Sequence, residues 1–277
     1  MSASVHPPAT PPPPRPATAY QSGHSRPGPQ GGPSRTRLLL AVGGVAVLAL
    51  AILLVAVLAG GSSNDTSDGS KPAAAHSIAA AMAGQQTAQF EIVSGAESVT
   101  VRTADIGNDL YRASTPKDSS LIPTATMVGE KVQLTLGTAG STGPATVEVL
   151  LNPAVTWQLR LAGGGMKETI DFSSGKITVL ELGAGAGDID VTLPKAQGTL
   201  AVRLTGGAGN LKVHLPQGQP VQFKVNGAGA GTATIDGKTS NNVKAGTELS
   251  SPDFAKAADR YAIEATVGVS TLVVDRK

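Results

Sequence analysis

The sequence predicts an all-β domain of the single-stranded β-solenoid (β-helix-like) class, wound in coils of about 22 residues. Three observations carry this expectation. Gly185-Ala186-Gly187-Asp188-Ile189 recurs 22 residues on as Gly207-Ala208-Gly209-Asn210-Leu211, and again as Gly229-Ala230-Gly231-Thr232-Ala233. The first two copies continue in phase, with Ile189, Val191, Leu193 and Pro194 answered by Leu211, Val213, Leu215 and Pro216. Apolar residues alternate with polar ones through most of the C-terminal two-thirds, the period of a strand with one buried face.

Taken in order, residues 1–37 hold ten of the nineteen prolines, four arginines and no acidic residue. So little apolar material cannot offset the entropy of ordering, and the stretch reads as a disordered, proline-rich tail. Leu38 to Ala59 is then uncharged and rich in Leu, Val and Ala. As a helix it extends ~33 Å, enough to cross a hydrocarbon core of ~30 Å. A signal peptide has an apolar region of only about 7–15 residues, so a retained single-pass anchor is expected. Arg15, Arg26, Arg35 and Arg37 precede the span, whereas Asp65 and Asp68 follow it. The positive-inside rule then puts the N-terminus in the cytoplasm and the C-terminal domain outside.

Residues 60–87 read as a polar linker, with alanine-rich Ala73 to Ala83 expected as a short helix. The solenoid domain is expected over 88–277. Phe90, Ile92 and Val99, Val101 mark a first pair of strands, and Val132, Leu134, Leu136 and Val147, Val149, Leu151 a second. Trp157-Leu159-Leu161, Val179 to Leu182, Leu200-Val202-Leu204 and Val221-Phe223-Val225 lead into the glycine corners, the first of which is Gly163-Gly164-Gly165, one period before Gly185. Corner glycines are expected to supply positive φ and to leave room for the coils above and below. Val191, Val213 and Ile235 should stack in one column, and Gly187, Gly209 and Gly231 in another. Pro194 with Gly198, and Pro216 with Gly218, read as turns, and Asp236-Gly237 closes the last coil. Polar 238–251 reads as a loop, Pro252 to Tyr261 as one or two helical turns, and Ile263 to Val274 as strands covering the open end.

The order of glycine corner, Asp188-Ile189-Asp190-Val191-Thr192-Leu193-Pro194, Asn210-Leu211-Lys212-Val213-His214-Leu215-Pro216 and terminal Gly268-Val269-Ser270-Thr271-Leu272-Val273-Val274 resembles bacterial adhesin-like, toastrack-type β-solenoid domains. It is similar also to the C-terminal module of LiaF-type envelope proteins. The resemblance covers roughly residues 88–275 and implies a membrane-tethered bacterial protein without an assigned activity. No binding residue is carried over from it.

Chemistry-bearing patterns are sparse. The Gly-Ala-Gly segments open strands, not helices, which excludes a phosphate cradle. Asp188 becomes Asn210 and Thr232, and Asp190 becomes Lys212, so a repeated calcium site is not maintained. His6, His24, His76 and His214 stand apart from other ligand residues, and His214 is expected to face water. Glu181 and Arg203 fall in register on adjacent coils and read as a surface ion pair. Trp157 is assigned to the core. Removing the tail arginines, Asp65 and Asp68 leaves 18 basic and 18 acidic residues, a balance that argues against nucleic-acid binding. The sequence therefore nominates no catalytic residue, no metal ligand, no cofactor and no small-molecule substrate. The expected role is a membrane-anchored, non-enzymatic scaffold that engages an envelope protein partner or a second copy of itself. The alternatives are an accessory regulator of an envelope-stress sensor and, ranked third, a polysaccharide-active β-helix enzyme.

Overall fold

The structure, a computed structural model, describes residues 76–277. The tail and the segment Leu38 to Ala59 lie outside the described residues, among which no helix is long and apolar enough to cross a membrane. Nineteen strands make up the described chain, with no α-helix. The first five are β1 (Ser77–Ala81), β2 (Thr87–Ile92), β3 (Ala96–Thr103), β4 (Asp109–Ser114) and β5 (Leu121–Val128). Next come β6 (Lys131–Thr138), β7 (Thr146–Leu151), β8 (Thr156–Leu161), β9 (Gly165–Asp171), β10 (Lys176–Leu182) and β11 (Ala186–Thr192). β12 (Thr199–Leu204), β13 (Ala208–Leu215), β14 (Val221–Val225) and β15 (Ala230–Ile235) follow. β16 (Lys238–Val243), β17 (Glu248–Ser250), β18 (Arg260–Ala265) and β19 (Val269–Arg276) complete the set.

These strands form two sheets. The first runs β1-β4-β7-β3-β9-β11-β13-β19-β15-β16, and the second β17-β14-β18-β12-β10-β8-β2-β6-β5. Each coil lays one strand in the second sheet and the next in the first, and seven such coils stack with parallel strands. The inward residues form continuous rows. One row of the first sheet reads Val149, Val101, Ile170, Val191, Val213, Val274, Ile235, all buried. Opposite it, the second sheet presents Val132, Phe90, Leu159, Leu180, Val202, Ile263 and Phe223. Alternation along each strand and stacking between coils together produce one apolar slab between two wetted faces. Trp157 lies fully within it, as expected, its indole N–H donating to the Asn152 carbonyl at 2.9 Å.

The coils do not stack in chain order. Val191 and Val213 are direct neighbours, but Val274 stands between Val213 and Ile235. In the glycine column Ser270 likewise separates Gly209 from Gly231, whose Cβ would lie 2.6 Å from the Ser270 carbonyl oxygen. The final coil, β18–β19, is thus inserted beneath the preceding one and does not cap it. At the other end β2–β3 sits inside β6–β7. An interior coil needs apolar alternation on both strands, which Tyr261, Ile263, Ala265, Leu272 and Val274 supply. An end needs polar, interrupted strands that discourage further pairing. That role falls to 238–251, which form the antiparallel strands β16 and β17 and not a loop.

Other expectations are corrected as well. Within the alanine-rich stretch Ala73 to Ala83, Ser77–Ala81 is not a helix but strand β1, antiparallel to β4, so the first sheet takes in part of the stretch read as linker. An isolated short helix is marginal in water, whereas the β4 edge offers five residues of backbone partners. Pro252 to Asp259 makes turns and no helix, Asp253 adopting φ 64° and Arg260 stacking 5.1 Å over the Phe254 ring. Gly163-Gly164-Gly165 is one residue out of phase: Gly165 pairs with Ala186, not Gly187. Positive φ is found in the reversing turns, at Gly198 (80°), Gly218 (87°) and Asp236-Gly237 (48° and 77°). Most solenoid-corner glycines lack it and are needed for close approach alone, Gly229 being an exception at φ 102°.

A buried polar knot secures the inserted coil. The Tyr261 hydroxyl lies 2.8 Å from both the Pro194 carbonyl oxygen and Gln219 Oε1, and the Gln219 amide donates to the Ala196 carbonyl at 2.9 Å. The single O–H serves one of these oxygens at a time and Gln219 Oε1 also accepts from the Ala196 N–H at 2.8 Å, so removing the hydroxyl leaves one buried acceptor, the Pro194 carbonyl, short of a donor. Tyr261→Phe is therefore expected to cost about 1–2 kcal/mol of stability, measurable by denaturant unfolding.

Candidate functional site

The outer face of the second sheet carries a single file of charges that changes sign at every strand. In register order it reads Glu91, Arg160, Glu181, Arg203, Glu264, Lys224, Glu248, with Gln133 beyond Glu91. Beside it run uncharged Gln89, Gln158, Val179, Ala201, Ala262 and Gln222. Arg160 bridges two coils, meeting Glu91 at 3.1 Å and pairing with Glu181. Glu91 also receives Lys131 at 2.7 Å and the Gln133 amide at 2.9 Å, and the Lys131 hydrogen bond leads the effects holding its carboxyl below the usual carboxylate range. Lys224 pairs with Glu248 at 3.0 Å.

Glu181 and Arg203 are in register as expected, yet Glu181 takes Arg160 as its partner, and Arg203 makes no ion pair among the described residues. Exposed pairs of this kind each contribute little, but like charges directly opposite one another would be destabilising. The file thus specifies strand register more than it adds stability. Arg203→Glu would set three carboxylates side by side. A loss of about 1 kcal/mol is expected, shrinking as salt is raised in paired denaturation experiments.

On the outer face of the first sheet the structure corrects the reading of His214. It is buried, with Nε2 3.3 Å from Asp190 Oδ1 and Nδ1 2.5 Å from Asp275 Oδ1. The ring ties β11, β13 and β19 together, and both carboxylates are served at once only when it carries two N–H groups. The carboxylates lie at opposite ring nitrogens and cannot converge on one ion, so the trio is a staple. Asp275 is 61 residues from His214, a spacing no motif announces. Asp188 accepts from the Asn210 amide at 2.7 Å, and His76 Nδ1 lies 2.9 Å from Thr115 Oγ1. His6 and His24 are outside the described residues.

Residues 117–214 match the family model for the N-terminal domain of toast_rack, DUF2154. Over that stretch the strand domain is similar to the toast_rack type. The matched stretch runs from just before β5 to His214 and takes in four consecutive coils, from β6–β7 to β12–β13. The strand domain also superposes on a provisionally named cell adhesion protein from Clostridium sporogenes, with TM-score 0.53 and 14% identity over 73% of this chain and 98% of that one. That likeness is one of fold. A provisionally named adhesin from Bacteroides fragilis gives TM-score 0.27 and 10% identity, over 72% of this chain and 96% of that one. No curated protein sequence matches the chain.

Two concavities lie at the end of the strand domain formed by β15, β16 and β17. An open groove of about 720 Å³ is lined by Gln217, Gln219, Asp236, Asp253, Asp275 and Arg276, among others. Arg276 is committed there: its Nε meets Asp236 at 2.7 Å and its Nη1 donates to the Gln219 carbonyl at 2.7 Å, so Asp236 is held below the usual carboxylate range chiefly by that arginine. A smaller cavity of about 310 Å³ opens between β16 and β17 over Ile235 and Leu249.

The most unusual residue was not singled out from the sequence. Glu168 of β9 points into the core with 1% exposure, in a row reading Val147, Val99, Glu168, Ile189, Leu211, Leu272, Ala233. Its Oε2 has no hydrogen-bond partner, and burial raises its pKa from 4.5 to about 7. The signal was hidden by the one-residue slip: a strict 22-residue phase aligns Lys167, not Glu168, with Ile189.

Proposed function

We propose that the chain is a membrane-anchored, extracytoplasmic interaction scaffold with no catalytic role, presenting its toast_rack domain at the bacterial cell envelope. The observation that carries this reading is the seven-strand file of alternating charge on a repetitive sheet face. Such a face is suited to a macromolecular partner with matching periodic charge. The domain's core is built as a packed slab, and its ion pairs tie strands together without surrounding a reaction centre. The anchoring and the outside location rest on Leu38 to Ala59 and on the arginines preceding it.

The test uses intact cells and the full-length chain. A photo-crosslinking residue at Gln158, on the charged face, should capture a discrete envelope protein or a second copy, whereas one at Thr100 on the other sheet should not. Equal capture from both faces would count against the charged file as the binding surface. Tags at each terminus should be accessible from outside only at the C-terminus. Deleting residues 1–37 while following an envelope-stress reporter separates the scaffold from an accessory regulator, because a scaffold is indifferent to the deletion.

A further inference from the structure

We propose that Glu168 and the glycine corner above it form a proton-operated latch in an interior coil. Protonated, the carboxyl stays in the core and β9 stays seated between β3 and β11; ionised, it leaves for solvent and the first half of β9 opens with it.

Geometry carries the argument. In the row next to Glu168 the strands present Ala96, Ala186, Ala208, Val269 and Ala230, but β9 presents Gly165. The carboxyl leans toward that vacated methyl position: Glu168 Cγ and Oε1 lie 3.8 and 3.9 Å from where a Gly165 Cβ would be. The group therefore lies just below the β8–β9 corner, with Oε2 unpartnered and solvent one short turn away. The corner itself is Gly163-Gly164-Gly165, followed by exposed Met166, so no side chain pins it to the core.

The surroundings offer the carboxylate nothing. Val99 and Val101 face it from β3, and Ile189 and Val191 from β11. The opposite sheet contributes Phe90, Ile92, Leu159, Leu161, Leu180 and Leu182. The nearby charged groups, Glu97 of β3, Lys167 of β9, and Asp188 and Asp190 of β11, occupy the outward pleat. Tyr111 and Tyr261, the other buried titratable groups of the core, are three strands or more removed. An ion in such a place gains neither hydrogen bond nor counter-charge, so opening is its way out. For the scaffold proposed above, the consequence is a face whose interior coil tightens as the medium acidifies. That consequence rests on the extracytoplasmic placement, whereas the latch does not.

Hydrogen exchange of the full-length chain, corrected for intrinsic rates, tests the latch directly. Protection of the 165–170 amides should fall about 30-fold between pH 5.5 and 8.5, while that of β11 and β13 changes much less. Glu168→Gln should abolish the pH dependence, and Glu168→Met serves the same purpose if the glutamine variant does not fold. Protection of β9 that is flat with pH in the unsubstituted chain, or a dependence that survives both substitutions, would overturn the proposal. Either result would leave the crosslinking and topology tests of the scaffold untouched.

Discussion

Gly206→Ala is expected to destabilise the strand domain by about 3 kcal/mol or more, an unusually large effect for one methyl group. A Cβ at that position would lie 2.2 Å from both the carbonyl carbon and the carbonyl oxygen of Ala184 in the coil alongside. Both sides of the clash are backbone, so relief requires the coils to separate and the ladder between them to break. The neighbouring Gly207 provides the control. Its Cβ would meet the Gly268 carbonyl oxygen at 3.8 Å, an ordinary contact, and its φ is not in the left-handed region. Gly207→Ala should therefore change stability by less than about 1 kcal/mol, even in the stabilising direction. Denaturant unfolding followed by the fluorescence of Trp157, the sole tryptophan, compares the two. Equal costs at both positions would show that the corner is not packed as described.

The second large effect has the opposite sign. Glu168→Met should stabilise the fold by about 3 kcal/mol at pH 8 and by much less at pH 4.5. In the folded chain the carboxyl keeps its proton up to about pH 7, whereas the unfolded chain releases it near 4.5. Between those values the unfolded state binds fewer protons, so stability falls as pH rises through that window and levels off above it. Methionine keeps the unbranched shape and cannot ionise, which removes the fall. Unfolding curves at a series of pH values should converge on the acid side and part progressively between pH 4.5 and about 7. Parallel curves would mean that Glu168 is charged in the fold or already in water.

How far these features were legible follows from their range. Strand alternation at Trp157-Leu159-Leu161 or Leu211-Val213-Leu215 depends only on a period of two, which any sequence displays in full. The turns at Pro194 and Gly198, and at Asp236-Gly237, are equally local, and the structure returns them with the expected backbone. The pairing of Glu181 is different. Arg160 and Arg203 flank it on either side, and only side-chain reach across the sheet decides between them. His214 was read from its own strand as facing water because its carboxylate partners arrive from β11 and β19. Glu168 was passed over, because a strict 22-residue phase aligns Lys167 with inward Ile189, and a single residue of phase exchanges the core for the solvent side.

By itself, then, the sequence determined that this chain builds all-β coils with glycine corners, that strands follow those corners, and that Trp157 belongs to the core. Tertiary structure alone decided which coils touch. The last coil slides between its two predecessors, polar β16 and β17 finish one end of both sheets, and two adjacent glycines acquire opposite tolerance for a methyl group. The reason is physical. A strand's periodicity is written in its own residues, but its neighbours are chosen by how completely each candidate coil buries its apolar rows and satisfies its edges. That choice is made across 61 residues, as between His214 and Asp275, as readily as across 22.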